Sequence, residues 1–242
     1  MITGIVVALP EELSTLTTKK IEKGRIEFIA KNILVTYSGV GSRNAGTSAE
    51  LLVKQGVDSL ISWGCGAALD ADFQAGDLVL AATCVDADQV EIKQSDMIWI
   101  NVAQGKLSQV LALPTRIGKL AESRTIVASS HDKAQIANVT GAVVLDMESA
   151  AIAKVAKLHG LPFLAIRAIA DPLNMDLPKA VSHALNDQGE VILSKLFMFL
   201  LLHPSDTPGL VKLGLHFKAA RNTLKLVAKQ LDALTIFPQG TH

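Results

Sequence analysis

Short runs of apolar and β-branched residues alternate with helical stretches over the first 171 residues, and this alternation constrains the fold more than any other feature. Helical stretches lie, for example, at 44–56 and 147–159. Several of the runs are apolar at consecutive positions, as expected for strands covered on both faces. The six runs are GIVVAL at 4–9, NILVTYS at 32–38, SLISWG at 59–64, DLVLAATC at 77–84, GAVVLD at 141–146 and PFLAIRAIAD at 162–171. The pattern predicts an α/β sandwich.

The composition limits the classes of partner. The chain has 242 residues, of which 49% are hydrophobic and 19% are charged, and 23 acidic residues balance 23 lysines and arginines. A single α/β core can grow to this length, so we expect one domain spanning 1–242. The balanced charge provides no global field that would attract nucleic acid or an anionic membrane. We therefore expect a small-molecule partner and no nucleic acid.

The N-terminal segment and the cysteines indicate the compartment and the absence of metal. MITGIVVALPEEL has an apolar run with no basic segment before it and no small-residue cleavage pattern after it. It is therefore typical of a first strand rather than a signal peptide, and we expect a cytoplasmic protein. The two cysteines, Cys65 and Cys84, form no CxxC motif and lie in no spacing suited to zinc. We expect neither a disulfide framework nor a metal site.

The ends of the predicted strands carry the polar signals. In α/β sheets the residues at the C-terminal ends of strands face the crevice in which ligands bind. Five such ends contain glycines or carboxylates, namely GVGSR, GCGAAL, VDAD, DMES and RAIAD. We therefore expect the site at these ends.

Two of these ends are glycine turns. GVGSRNAG at 39–46 would expose backbone N–H groups at a helix N-terminus, with Arg43 able to grip an oxyanion or phosphate. A tight turn alone also explains the glycines, and the spacing is not GxGxxG. GCGAAL at 64–69 places Cys65 at a close backbone approach, but the local sequence offers no base to activate a thiolate. Cys65 is therefore interpreted as a small lining residue.

Two further ends carry acids, each with an ordinary structural explanation. Asp146 and Glu148 begin the helical stretch DMESAAIAKVAKLHG, where acids commonly cap a helix. Asp171 ends an apolar strand just before a proline, and Asp-Pro is a common turn. Local sequence leaves both readings open for each acid. The combination of several such ends is more specific than any one of them.

Taken together, these strand ends resemble in order and spacing the nucleoside phosphorylase and nucleosidase superfamily, which includes methylthioadenosine/S-adenosylhomocysteine nucleosidase. The segments that carry the resemblance are GIVVALPEE, YSGVG, WGCGAALDADFQAGDLVL, VDAD, LDMESAAIA and IRAIAD. They run from the first strand to Asp171, about two-thirds of the chain. The resemblance implies a three-layer α/β/α sandwich with a mixed central sheet plus C-terminal helices. It also implies an enzyme that cleaves the N-glycosidic bond of a purine nucleoside by phosphorolysis or hydrolysis.

The resemblance assigns roles to individual residues. In the family, the acid after the methionine holds the ribose 2′ and 3′ hydroxyls, and the aspartate that ends the RAI strand protonates the purine at N7. The matching positions are Glu148 and Asp171, with Met147 expected to pack against the sugar. Glu12 aligns with the acid that orients water in the nucleosidases, while Cys65 occupies a position that is usually serine, near the nucleophile. Such acids suit a reaction with an oxocarbenium-like sugar and a base that leaves poorly until protonated.

The nucleophile is left open by a departure from the family pattern. The arginine that precedes the glycine turn and grips phosphate in hexameric purine nucleoside phosphorylases is Ser62 in this chain. A phosphate site would therefore use Arg43 together with Gly41, Cys65 and Gly66 of the two glycine turns. Inorganic phosphate is a candidate co-substrate, and no other cofactor is expected. Water remains the alternative nucleophile.

A second departure concerns the base. The stretch SSHDKAQ at 129–135 replaces the aromatic-containing loop that sandwiches adenine in the nucleosidases. The sequence therefore names no residue that stacks on the base.

The chain after Asp171 differs from the nucleosidases and is similar to the hopanoid-associated phosphorylase subfamily. The shared features are an IADP–LP start, a proline-containing break, here HPSDTPG at 203–209, and a basic terminal helix. Enzymes of that subfamily are implicated in removing adenine from adenosylhopane. The resemblance implies a 5′-modified adenosine as substrate. It also implies a homo-oligomer, because enzymes of the superfamily commonly borrow active-site residues from a neighbouring subunit.

Residues 190–235 are predicted to form an appended apolar and basic helical element. VILSKLFMFLLL at 191–202 is strongly apolar but too short, and interrupted by Lys195, to span a bilayer. Residues 210–231 place lysines and arginine between apolar residues at helical spacing, as in an interfacial helix. A buried or subunit-interface helix pair fits the same pattern. Our hypothesis is that the pair lines a channel for a large apolar 5′ group, or lets the enzyme reach a lipid-linked substrate by peripheral membrane contact.

Two other classes of function compete with nucleoside cleavage. A non-catalytic nucleoside-binding or regulatory module could keep the same pocket, although a binder has no need of a poised acid such as Asp171. A dinucleotide-binding oxidoreductase is a weaker alternative, because the glycine spacing at 39–46 departs from the usual fingerprint.

Overall fold

A computed structural model of the chain describes residues 1–93, 97–110, 115–184, 199 and 202–235. Within these residues the strands are β1 (Thr3–Val7), β2 (Ile26–Ala30), β3 (Ile33–Tyr37), β4 (Ser59–Ala68), β5 (Leu78–Val85), β6 (Glu91–Lys93), β7 (Thr115–Glu122), β8 (Val144–Asp146) and β9 (Phe163–Asp171). The helices are α1 (Pro10–Leu16), α2 (Ser42–Lys54), α3 (Met97–Val110), α4 (Ser130–Thr140), α5 (Ser149–Leu158), α6 (Lys179–Ala184), α7 (Thr207–Ala228) and α8 (Leu231–Leu234). A short 3-10 helix, Pro204–Asp206, precedes α7.

The strands form one mixed sheet that closes on itself in part. Its order is β2-β3-β1-β4-β8-β7-β5-β6, and β9 pairs with both β4 and β5. As a result β4, β9, β5, β7 and β8 form a closed ring of paired strands. Strands β3, β1, β4 and β9 run parallel to their neighbours in that series, so their C-terminal ends meet at one edge. The predicted mixed α/β sheet is confirmed.

Side chains of successive strand residues point to opposite faces of the sheet and build the two larger of its three buried hydrophobic clusters. Ile61 and Trp63 of β4 belong to one core with residues of α1, α3, α7 and α8. Leu60 belongs to the other core, together with residues of α2 and α5. The consecutive apolar residues in the sequence therefore reflect burial on both faces, as the runs predicted. The sheet lies between two helical layers, which confirms the three-layer sandwich.

The six predicted strands and both predicted helices are present, with ends shifted by a few residues. The run at 141–146 is strand only from Val144, because Gly141 ends α4 in a left-handed conformation with φ 64°. Of the predicted C-terminal element, α7 covers most of 210–231. The apolar run at 191–202 lies outside the described residues except for positions 199 and 202. Within the described part of the chain, no helix has both the length and the apolar character needed to cross a bilayer.

Candidate active site

A cavity of about 320 Å³ opens where the C-terminal ends of β1, β4 and β9 meet. Residues from the segments that follow β3, β7 and β8 complete its wall, together with residues from α6 and α7. Its lining consists of Ala8, Leu9, Glu12, Val40, Cys65, Gly66, Ala67, Ser123, Ile126, Val127, Leu145, Asp146, Met147, Glu148, Ala170, Asp171, Leu177, Val181 and Phe217. Carboxyl groups are therefore set in a largely apolar wall.

Glu12 reaches the cavity from the first turn of α1, which starts directly after β1. Its Oε1 accepts a hydrogen bond of 2.7 Å from the Cys65 backbone N–H, and its Oε2 accepts one of 3.1 Å from the Leu9 N–H. Glu12 is only 3% exposed. Burial raises the pKa of Glu12 to about 7, although the Cys65 hydrogen bond and the nearby Arg167 charge act in the opposite direction. A carboxyl with a pKa near neutrality can accept a proton from water during a reaction.

The glycine turn GCGAAL makes room for this carboxylate. A Cβ atom at Gly64 would lie 2.6 Å from Glu12 Oε1, closer than real Cβ contacts. Glycine at this position therefore lets β4 approach Glu12 closely. Cys65 and Gly66, both candidate site residues, line the cavity. Burial, together with the Glu12 charge, raises the pKa of the Cys65 thiol well above its usual value. The thiol is thus neutral and serves as a small lining group.

Asp146 provides the helix cap that local sequence assigned equally to Asp146 and Glu148. Its Oδ1 accepts hydrogen bonds from the backbone N–H groups of Glu148 at 3.2 Å and Ser149 at 3.1 Å. Its Oδ2 pairs with the guanidinium of Arg167 at 2.7 Å. Asp146 therefore holds the start of α5, and the capping explanation applies to Asp146 alone.

Glu148 is turned toward the cavity instead. Its Oε1 accepts a hydrogen bond of 2.8 Å from the Gly41 backbone N–H, and its Oε2 accepts one of 3.3 Å from the Met147 N–H. Burial raises the pKa of Glu148 to about 8, and the neighbouring Asp146 charge adds to the rise. Met147 lies beside Glu148 in the cavity wall. The two positions predicted to contact a ribose are therefore adjacent and face the same space.

Arg167 lies beneath the cavity and was not identified from the sequence. It is buried, and besides Asp146 it donates hydrogen bonds to Ser62 Oγ at 2.6 Å and Ser149 Oγ at 2.9 Å. An arginine in an otherwise apolar strand needs a buried partner, which is a signal that the sequence did contain. Ser62 thus serves as an acceptor for Arg167.

Asp171 faces the cavity at the end of β9 and pairs with a buried lysine. Its Oδ1 accepts a hydrogen bond of 2.9 Å from Lys133 Nζ. Burial raises the pKa of Asp171, while the Lys133 ammonium opposes that rise. Lys133 belongs to the stretch SSHDKAQ, whose Ser129 caps α4 by accepting a hydrogen bond from the Asp132 N–H at 3.0 Å. No pattern in the sequence predicts Lys133 in the site.

The residues predicted to bind phosphate are not brought together. Arg43 lines a second depression of about 230 Å³ with Asp86, Glu122 and Lys154. The Gly41 N–H already binds Glu148. Among the described residues that line the main cavity, none is basic. Of the four residues predicted to form an oxyanion site, Gly41, Arg43, Cys65 and Gly66, only Cys65 and Gly66 line the cavity.

Known proteins resemble this chain in sequence and in fold. The family described as the phosphorylase superfamily matches residues 3–197. A 5′-methylthioadenosine/S-adenosylhomocysteine nucleosidase from Staphylococcus aureus is 26% identical over 197 residues, which cover 71% of this chain and 86% of the relative.

Solved structures with the same fold include two proteins from Helicobacter pylori. Its 5′-methylthioadenosine/S-adenosylhomocysteine nucleosidase has a TM-score of 0.70 at 19% identity and its futalosine hydrolase has 0.69 at 18% identity, each covering 96% of both chains. The nucleosidase from Neisseria meningitidis has a TM-score of 0.70 at 20% identity and covers 95% of this chain and 97% of its own. These structural matches establish the shared fold.

Proposed function

This chain belongs to the phosphorylase superfamily and is a nucleoside-cleaving enzyme, and we propose that it hydrolyses a 5′-modified adenosine such as adenosylhopane. The observation that carries the proposal is the placement of Glu12, Glu148 and Asp171 in one cavity. Cleavage of the N-glycosidic bond of a purine nucleoside fits both that cavity and the nucleosidases to which the chain is similar. Water as the nucleophile and a large apolar 5′ group are supported by the charge and the apolar lining of the cavity.

The three acids have complementary tasks in this proposal. Asp171 donates a proton to N7 of the adenine, so that the base leaves as a neutral molecule. Glu148 accepts hydrogen bonds from the ribose hydroxyls, and its ionised form favours the positive charge that develops on the sugar. Glu12 holds the attacking water and takes its proton. Each role requires a carboxyl in or beside the cavity, where all three lie.

The charge of the cavity supports water as the nucleophile. No basic side chain is found among its described lining residues, so a phosphate ion would be buried there without a positive partner, which is costly in a site of low dielectric constant. The arginine predicted to hold phosphate, Arg43, lies in the neighbouring depression. The similar S. aureus protein is likewise named a nucleosidase. Hydrolysis is therefore favoured over phosphorolysis.

The apolar part of the cavity wall supports a substrate with an apolar substituent on the nucleoside. Ile126, Val127, Leu177, Val181 and Phe217 line the cavity, and the last two come from α6 and α7 in the C-terminal part of the chain. Each buried methylene of a ligand contributes about 0.8 kcal/mol. A long apolar 5′ group would therefore gain more affinity here than a hydroxyl would.

The outer face of α7 supports contact with an anionic lipid surface, which is where a lipid-linked adenosine would reside. Residues 207–231 contain no acidic residue, and Lys212, Lys218 and Lys225 are exposed beside the exposed Val211 and Leu215. Basic and apolar residues on one helix face are typical of interfacial helices. The same helix contributes Phe217 to the cavity. Peripheral binding of α7 would thus place the cavity next to the bilayer.

Product analysis tests the bond and the nucleophile. The protein is incubated with adenosine and with 5′-alkylthioadenosines, with and without phosphate, and the mass of the sugar product is determined by mass spectrometry. We expect free adenine and an unphosphorylated sugar at rates that do not depend on phosphate. A sugar phosphate would establish phosphorolysis instead. Tight nucleoside binding with no release of base would favour a non-catalytic binding module.

A substrate series tests the 5′ group separately. We expect kcat/KM to rise from 5′-methylthioadenosine to 5′-butylthioadenosine and 5′-octylthioadenosine, and Phe217→Ala to reduce this rise. Equal or falling values along the series would overturn the apolar substituent while leaving cleavage of the glycosidic bond in place. Light scattering with and without substrate tests the proposed homo-oligomer.

A further inference from the structure

Lys133 is a buried cation in the wall behind the proposed acid. Its side chain has no exposed surface. Its Nζ donates to Asp171 Oδ1 at 2.9 Å, to the Pro172 carbonyl at 3.0 Å and to the Met175 carbonyl at 2.7 Å. Helix α4 carries Lys133, whereas all three acceptors belong to the end of β9 and the segment after it.

This arrangement suits an ammonium rather than a neutral amine. An ammonium has three N–H donors, and three acceptors surround it. A neutral amine would turn its lone pair toward one of these oxygens, and a buried charge without partners would be costly. Lys133 therefore keeps its proton, and its position is fixed by three hydrogen bonds.

We propose that Lys133 is a positioning residue that determines which oxygen of Asp171 carries the proton transferred to the purine. The inference rests on the proposed role of Asp171 as the acid. Because Oδ1 accepts from the Lys133 ammonium, the proton of the neutral carboxyl belongs on Oδ2. Among the described residues none donates a hydrogen bond to Oδ2, and Asp171 lines the cavity. Lys133 thus directs the acidic proton to the oxygen that is left for the base.

Lys133 also balances charge as the reaction proceeds. The proton moves from Asp171 Oδ2 to N7, while the bond between the sugar C1′ and the base nitrogen breaks and its electron pair goes to the base. Asp171 is left as a carboxylate, which the Lys133 ammonium stabilises, and Lys133 keeps its own proton throughout. The charged groups that influence Asp171 are Lys133, which favours its ionised form, and Asp176, which disfavours it. Glu12 and Glu148 line the same cavity.

The test compares substrates that differ in their need for an acid. Lys133→Gln keeps two N–H donors but loses the positive charge, whereas Lys133→Met loses the charge and all the donors. We expect each variant to lower kcat for 5′-methylthioadenosine by about tenfold or more, with KM within about threefold. For 4-nitrophenyl β-ribofuranoside, whose leaving group needs no proton, kcat should stay within about threefold of wild type. The pH profile of kcat/KM should also move to higher pH, because loss of the ammonium raises the pKa of Asp171.

A merely structural role gives a different result. In that case kcat would fall by the same factor for both substrates, in proportion to the folded fraction, and the pH profile would keep its position. This outcome overturns the inference. If neither variant folds, wild-type protein with ¹⁵N-labelled lysine settles the point by NMR. A slowly exchanging ammonium signal at pH 8 that shifts when a nucleoside binds supports the inference, and its absence overturns it.

Failure of the proposed function is seen in other measurements. Wild-type protein that releases no adenine, or Asp171→Asn with near-normal rate, would refute the assignment of Asp171 as the acid. Active wild-type protein, inactive Asp171→Asn and unchanged Lys133→Gln would refute the inference about Lys133 alone.

Discussion

The backbone N–H of Gly41 donates a hydrogen bond of 2.8 Å to Oε1 of Glu148, which joins the turn after β3 to the start of α5. Gly41 has a φ of 99°, a conformation that glycine adopts more readily than other residues. The turn that resembled a phosphate site thus holds a carboxylate of the protein. A fixed Glu148 can accept hydrogen bonds from a sugar without first losing side-chain entropy.

Glu148→Gln is expected to lower kcat/KM for adenosine about 100-fold, because the amide cannot replace a charged acceptor for the ribose hydroxyls. For 2′,3′-dideoxyadenosine, which lacks both hydroxyls, kcat/KM of the variant should stay within about threefold of the wild-type value. Steady-state adenine release for the two substrates measures the difference. Equal losses for both substrates would show that Glu148 does not act through the hydroxyls.

Gly64→Ala is expected to lower the hydrolysis rate at least about 100-fold, because its Cβ would lie 2.6 Å from Glu12 Oε1 and displace the carboxylate. Gly105→Ala in α3 is the matched control, since a Cβ at Gly105 has no atom within 4 Å. Substrate affinity, measured by calorimetry, should change little in either variant. A normal rate in Gly64→Ala would remove Glu12 from the proposed mechanism.

Part of this site could be predicted from the sequence, and the rest depends on contacts that the sequence does not reveal. Apolar runs predict six of the strands but not β2, β6 and β7, and β7 gives no clear signal because TRIGKLAE mixes charged residues with apolar ones. Local sequence does not distinguish Asp146 from Glu148 as the cap, whereas the pairing of Asp146 with Arg167, twenty-one residues further along the chain, does. These distinctions arise from long-range pairing rather than from local pattern.

Lys133 and Arg43 both show that side-chain direction cannot be predicted from position in the sequence. Lys133 lies in the site without a sequence signal, whereas Arg43 follows a glycine turn but lies outside the main cavity. A lysine in the first turn of a helix is ordinarily exposed, and only the packing of α4 against the end of β9 buries Lys133 beside Asp171. Arg43 lies next to a glycine turn in sequence, but it lines the second depression with Asp86 and Glu122. Position along the chain identified the strand ends correctly, whereas side-chain direction required the fold.

The stability of wild-type protein relative to Glu148→Gln should fall as the pH rises. Burial raises the folded-state pKa of Glu148 from 4.5 to about 8, so the folded state holds a proton that the unfolded state has released. The stabilisation is complete below pH 4.5 and is lost as the pH rises through about 8. The difference in unfolding free energy between the two proteins, measured by urea unfolding, should change by an amount on the order of 2–4 kcal/mol between pH 5 and pH 9. A difference independent of pH would contradict the raised pKa.

The outer face of α7 provides the last prediction. Wild-type protein should sediment with vesicles of phosphatidylglycerol and phosphatidylcholine but not with phosphatidylcholine alone, because Lys212, Lys218 and Lys225 are exposed on a segment without acids. Each lysine near an anionic surface contributes about 1 kcal/mol, so reversing all three charges to glutamate should weaken binding at least about 100-fold.

Lys54→Glu/Lys157→Glu is the control matched in charge to Lys218→Glu/Lys225→Glu, since α2 and α5 cover the opposite face of the sheet from α7. It should bind vesicles nearly as wild type does. Turnover of soluble 5′-methylthioadenosine should be unchanged in both sets, because none of these lysines lines the cavity. Equal loss of vesicle binding in the two sets would indicate attraction by net charge, whereas selective loss with the α7 set would connect the membrane contact to the helix that carries Phe217.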